Sequence, residues 1–151
     1  ELNGYHGDAC RTFIVGETLP AWRKLVEVTE ASFWAGLEQA VAGKRIGDIS
    51  SAVQTYCEAR GYGVVRELTG HGIGRRLHEK PDLPNFGRAG RGVRLAVGMT
   101  LALEPMITLG SPAVIWDPDG WTVRTADGSP AAHYENTFVI TDDGPVILTA
   151  L

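Results

Sequence analysis

Residues 70–81 read Gly70-His71-Gly72-Ile73-Gly74-Arg75-Arg76-Leu77-His78-Glu79-Lys80-Pro81, with two histidines seven positions apart. Glycine on both sides of His71 lets the backbone turn sharply and leaves the imidazole uncrowded. His78 heads a His-Glu-x-Pro run, in which Pro81 biases Lys80 away from helix. Glycines around an imidazole weaken local structure, and a folded domain tolerates that where something must approach closely. By itself the stretch reads equally as a glycine-rich surface loop, so its surroundings decide.

Working outward, Val64-Val65 leads in, and a loop rich in Gly, Pro and Arg follows from Asp82 to Val93. Arg88, Arg91 and Arg94 lie in or just after it, with Arg75 and Arg76 upstream; no aromatic stands between Arg88 and Arg94 and the overall charge is acidic, which favours a solvated loop over an anion-binding rim. Val97 to Ile107 is a β-type apolar run with one acid, Glu104, inside it. A glutamate there is costly unless paired, protonated or bound to a cation. Pro105 removes a ladder donor, so the strand should end or distort beside Glu104. Trp116 to Thr125 reads as a hairpin around Asp117-Pro118-Asp119-Gly120, which lacks the later acid of a calcium loop. His133 to Thr141, a turn at Asp142-Asp143-Gly144, and Val146 to Leu148 make a terminal hairpin, with Glu135 at the mouth of an apolar strand.

Upstream, Asn3-Gly4 between short extended segments is a strong hairpin signal, and Asp8 falls near the start of the returning strand. Alone, Asp8 is most simply a turn-capping residue. Cys10, Thr12 and Ile14 share one face of that strand. Leu19 to Ala42 then turns helical: Thr18 can cap it, Pro20 suits its first turn, and Gly43 stops it. Leu25, Thr29, Phe33, Leu37 and Val41 step by four, with Trp22 and Trp34 expected in or near the core. A second helix starts at Gly47 or Asp48 and ends at Gly61, burying Ile49, Ala52, Val53, Tyr56 and Cys57. Two consecutive helices between strands predict an α+β domain, its helices covering one face of a mostly antiparallel sheet.

Composition agrees. The chain has 151 residues, 44% hydrophobic and 21% charged, enough for one domain with a core. A net charge of −4 argues against a chain built to coat nucleic acid. No apolar run reaches the ~18–20 residues that span a bilayer, and no signal-peptide pattern opens the chain. Cys10 and Cys57 lack CxxC spacing and read as reduced thiols, so a cytoplasmic location is expected. Glu1 opens the chain in mid-structure, as expected of part of a longer polypeptide.

Asp8, His71, Glu104 and Glu135 each sit on or beside an expected strand, in contexts that bury them at least partly. Three carboxylates and an imidazole suit Mn²⁺, Fe²⁺, Co²⁺ or Zn²⁺ in a hydrolytic role better than a structural thiolate site. Their mutual repulsion is relieved most directly by a divalent ion. Spacing alone leaves their convergence open. HExxH, GxGxxG and G-x-S-x-G are all absent.

Four blocks, HGDACRTF at 6–13, GHGIGRRLHEKP at 70–81, TLALEPM at 100–106 and HYENTFVITDDGPVILT at 133–149, together resemble the type I, bacterial-like methionine aminopeptidases. The resemblance implies the pita-bread fold, a curved mostly antiparallel sheet with helices on its outer face. It also implies removal of N-terminal methionine from nascent chains and peptides with a small second residue. It implies two divalent ions (Co, Mn, Fe or Zn): Asp8 and Glu135 bridge them, and His71 and Glu104 complete the first shell. Glu104 would also take the proton of the attacking water. His78 would hold no metal and would hydrogen-bond substrate beside the scissile peptide, helping to stabilise the oxyanion. Trp121 would help wall the methionine pocket, with Leu77 at its edge where many relatives carry an aromatic.

Departures matter as well. The family's further metal aspartate and several pocket residues lie upstream of the HGD block and precede Glu1. Residues 1–151 are therefore expected to be the C-terminal portion of a single catalytic domain, roughly 60% of it by analogy. One ion would then dominate, and this chain alone would be poorly active. Possible partners are an upstream fragment of the same protein and the ribosome, besides the nascent chain; no membrane and no specific nucleic acid are expected. Two other readings compete: a catalytically impaired pita-bread protein that binds peptides or ribosomes, and a proline-directed aminopeptidase. The first would lack several of the ligands retained here, and the second predicts different histidine spacing.

Overall fold

The computed structural model describes residues 1–150. Asn3 and Gly4 both take left-handed backbone, φ 52° and 80°, and Leu2 N–H donates to Tyr5 C=O at 2.8 Å. The expected Asn-Gly turn is thus present, and the chain returns as β1 (Ala9–Arg11).

Helix α1 runs Pro20–Leu37 and α2 runs Ile46–Glu58. Pro20 occupies the first turn, but the N-cap is Leu19 with no side-chain cap, so Thr18 does not serve. The helix also stops short of Gly43. Gln39 and Ala40 N–H donate to Gly36 and Leu37 in tighter turns, which drive Ala40 into the core. Trp22 and Trp34 are 45% and 42% exposed, against expectation, because the buried stripe runs through Leu25, Val28, Phe33 and Leu37. In α2, Asp48 caps from inside the helix: its Oδ2 accepts the Arg45 N–H at 2.8 Å. The helices meet closely at Gly36, where a Cβ would lie 2.7 Å from Val53 Cγ2.

The strands that follow are β2 (Gly63–Val64), β3 (Gly70–Gly72), β4 (Glu79–Leu83), β5 (Thr100–Leu103), β6 (Met106–Thr108), β7 (Val114–Trp116), β8 (Val123–Thr125), β9 (Ala131–Thr141) and β10 (Gly144–Ile147). Eight strands form one sheet along the path β2-β6-β9-β5-β3-β4, with β1 and β10 also paired to β9. Every pairing is antiparallel. β7 and β8 form a separate two-stranded ribbon, which is the expected hairpin at residues 116–125 widened at its base. The apolar run from Val97 enters the sheet only at Thr100; Val97 is 50% exposed, and Gly98 takes φ 88°.

One core cluster joins Phe33, Leu37, Ile49 and Val53 to Leu101, Leu103, Phe138 and Ile140, and a smaller one joins Leu25, Val28 and Cys57 to Val64 and Ile107. Phe33 packs on Tyr134 of β9, ring centroids 5.1 Å apart. The helices therefore fill one face of the sheet. Alternate residues of β9 point to the other face, and Glu135 is among them. Among the described residues no helix is long and apolar enough to cross a membrane.

Candidate metal centre

His71 lies at the middle of β3, 6% exposed. Its flanking glycines serve strand packing rather than a loop. A Cβ on Gly72 would sit 2.5 Å from the Lys80 carbonyl oxygen, and one on Gly70 would strike the Ala102 carbonyl. The register shifts between His71 and Gly72, a bulge that re-aims the imidazole. Nδ1 lies 2.8 Å from the Gly72 carbonyl, which can only accept, so the ring proton sits on Nδ1 and Nε2 is left as a bare donor atom.

Glu104 falls in the gap between β5 and β6, where Pro105 interrupts the ladder as its sequence position predicts. Its main-chain carbonyl accepts the side-chain amide of Asn85, itself fully buried, at 2.9 Å. Asp8 immediately precedes β1. Its N–H donates to Thr137 Oγ1 at 2.8 Å, and its carbonyl accepts the Thr137 N–H at 3.0 Å. Glu135 is 4% exposed on β9, across from Cys10. The Arg11 guanidinium, stacked 3.9 Å over Tyr134, donates to the Glu135 carbonyl and to Asn136 Oδ1, tying β1 to β9 at the site.

These four residues, from four separated segments, come together. Ligand atoms of Asp8, His71 and Glu135 lie within 4.8 Å of one another, and His71 Nε2 is 3.5 Å from Glu104 Oε1. A fifth residue joins them that sequence reading passed over: Glu104, His133 and Glu135 form a second such group. The signal was available, since His133 and Glu135 are two apart on one strand and so face the same way.

Burial, followed by the charges of Glu135 and Asp8, pushes the Glu104 carboxyl up to about 8. Burial and Asp8 push Glu135 up to about 7, with Arg11 opposing. Burial holds His133 below the ordinary histidine value, with Asp8 opposing. Glu135 Oε1 and His133 Nε2 are buried without a hydrogen-bond partner. Crowded carboxylates, a bare imidazole nitrogen and unpartnered donor atoms are what a divalent cation would satisfy, so the residues present fit one.

His78 is exposed, its ring 4.3 Å from that of His71 and nearly perpendicular to it. The two histidines line a cavity of about 490 Å³ together with Thr69, Arg76 and Glu79. Leu77 is 40% exposed. Trp121 is 88% exposed on the turn of the β7–β8 ribbon, where the Asp119 carboxylate accepts its N–H at 2.9 Å.

An antiparallel sheet carrying a buried carboxylate and imidazole cluster is an arrangement suited to holding a divalent cation. Residues 1–142 match the model of metallopeptidase family M24, and the chain belongs to that family. Its fold is the pita-bread fold, and the family's chemistry uses divalent metal. The chain is 55% identical to a methionine aminopeptidase of Clostridium acetobutylicum, over 98% of this chain and 59% of that protein. The crystal structure of methionine aminopeptidase from Thermotoga maritima superposes with a TM-score of 0.97 at 46% identity, covering 99% of this chain and 60% of that one. Prolidase from Pyrococcus furiosus superposes at 0.75 with 25% identity, covering 99% of this chain and 38% of that one. The chain thus spans about three fifths of the length of the curated relatives it matches.

Proposed function

We propose that this chain serves metal-dependent hydrolytic removal of N-terminal methionine from peptides and nascent chains with a small second residue. The convergence of Asp8, His71, Glu104 and Glu135 in one buried cluster carries the reading. Asp8 and Glu135 would bridge two ions, and His71 Nε2 and Glu104 would complete the first. Co, Mn, Fe and Zn all suit this mixed donor set, so availability selects among them. A bound divalent ion supplies Lewis acidity, polarising the scissile carbonyl and acidifying water.

The chain's own residues supply the rest. A Glu104 oxygen takes the proton of the attacking water and returns it to the departing amine. Asn85 holds the Glu104 main chain while its side chain does this. His78, packed against His71 and open to the adjoining cavity, donates to the substrate carbonyl as negative charge builds on its oxygen. Leu77 and Trp121, both exposed, would wall the methionine side chain as the resemblance implies.

The test is a peptide assay on the purified, metal-loaded full-length protein. Methionine should be released from Met-Ala-x peptides, x-Pro peptides should remain intact, and Glu104→Gln should lower kcat by about 10²–10⁴ while keeping the fold. Preference for x-Pro would point to a proline-directed enzyme. Metal binding with no turnover would point to a binding protein, and undiminished activity of Glu104→Gln would remove the mechanism.

A further inference from the structure

Building on the metal-centre reading above, we propose that His133 is itself a metal ligand, closing with Glu104 and Glu135 a cation position distinct from the one His71 serves. His133 Nε2 is buried and has no hydrogen-bond partner. It lies 3.7 Å from Glu104 Oε2 and 3.9 Å from Glu135 Oε2. Both separations are too long for hydrogen bonds. They are right for atoms that share an ion, because two ligands each about 2.0–2.2 Å from a metal lie no more than about 4.4 Å apart.

The Glu104 carboxylate makes the division clear. Its Oε1 faces His71 Nε2 at 3.5 Å and its Oε2 faces His133 Nε2 at 3.7 Å. One carboxylate is therefore straddled by two imidazoles, each with a nitrogen directed at a different oxygen. Glu135 belongs to both groups, with Asp8 and His71 on one side and with Glu104 and His133 on the other. Its Oε1 is also buried and unpartnered.

His133 is held in this pose by its main chain. Its N–H donates to Thr12 Oγ1 at 2.9 Å, and its carbonyl accepts the same hydroxyl at 3.0 Å. β9 pairs with β6 at His133 and Met106, just past the Glu104–Pro105 interruption. The break that re-aims Glu104 thus leaves its carboxylate beside His133. This position therefore offers a cation one imidazole nitrogen and carboxylate oxygens of Glu104 and Glu135.

The experiment is proton NMR in water on the Co²⁺-loaded protein, reading exchangeable imidazole N–H signals shifted by the paramagnetic ion. Two such signals are expected. His133→Gln should lose one and His71→Gln the other, and His133→Gln should weaken the second Co²⁺ in calorimetry by at least about tenfold. A wild-type protein with one shifted signal, lost only in His71→Gln, overturns the role of His133 even where His133→Gln fails to fold. Two signals that both survive His133→Gln overturn it as well. No shifted imidazole signal at all would instead remove the metal-centre reading on which this rests.

Discussion

Glu104 is the residue on which most of the site depends, and its burial has a measurable consequence without any substrate. In the metal-free protein Glu104 and Glu135 titrate at about 8 and about 7, above the ordinary 4.5. The folded state therefore binds more protons than the unfolded chain through that interval, so stability falls as pH rises. His133, held below its ordinary 6.5, acts in the opposite sense, but its contribution is complete above that value. The loss should be cleanest between about pH 6.5 and 8. Thermal unfolding of the metal-free protein should give a lower Tm at pH 8 than at pH 6.5, and a bound divalent ion should abolish the difference by holding both carboxylates ionised. A metal-free Tm that rises over this interval would contradict the burial argument. Glu104 and Glu135 were legible in the sequence because an acid inside an apolar strand is conspicuous. Asp8 was less conspicuous, since a turn needs an aspartate too, and β1–β9 pairing is what brings it inward. His133 was passed over for a different reason: a histidine two residues before Glu135 looks ordinary until the fold brings Glu104 beside it.

At the scale of elements, β3 changes most between sequence and structure. Its glycines predict a loop open to approaching groups, yet Gly70 and Gly72 are strand residues squeezed between β4 and β5. The squeeze fixes the strand that carries His71. Gly72→Ala should therefore cost about 1–3 kcal/mol by overpacking against the Lys80 carbonyl. Denaturant unfolding measures the cost, and Co²⁺ affinity should fall with it as His71 shifts. An alanine variant as stable as the parent would show that β4 gives way freely. The helices were legible from their four-residue stripe, and their boundaries were not. α1 ends at Leu37 because Ala40 turns into the core, and α2 starts at Ile46 because loop carbonyls of Val93 and Arg91 receive its first N–H groups. Such tertiary contacts leave no mark on local periodicity.

For the whole molecule, the donors arrive from segments spread from Asp8 to Glu135, so a bound ion ties the folded sheet together at its middle. Unfolding separates the donors and discards that binding energy. An ion at a hundred times its Kd should add about 2.7 kcal/mol to unfolding stability, read as a metal-dependent rise in Tm. Indifference of Tm to saturating Mn²⁺ or Co²⁺ would mean that the cluster does not hold the ion. The α+β class followed from the alternation of patterns along the chain. The path of the sheet did not, because the central role of β9, which pairs with β1, β5, β6 and β10, depends on long-range register. The most direct measurement is anomalous X-ray diffraction from crystals grown with Mn²⁺. An anomalous peak about 2.0–2.3 Å from donor atoms of Asp8, His71, Glu104 and Glu135 is the predicted result. Crystals whose Mn²⁺ signal lies elsewhere, with this cluster free of anomalous density, would contradict the metal-centre account.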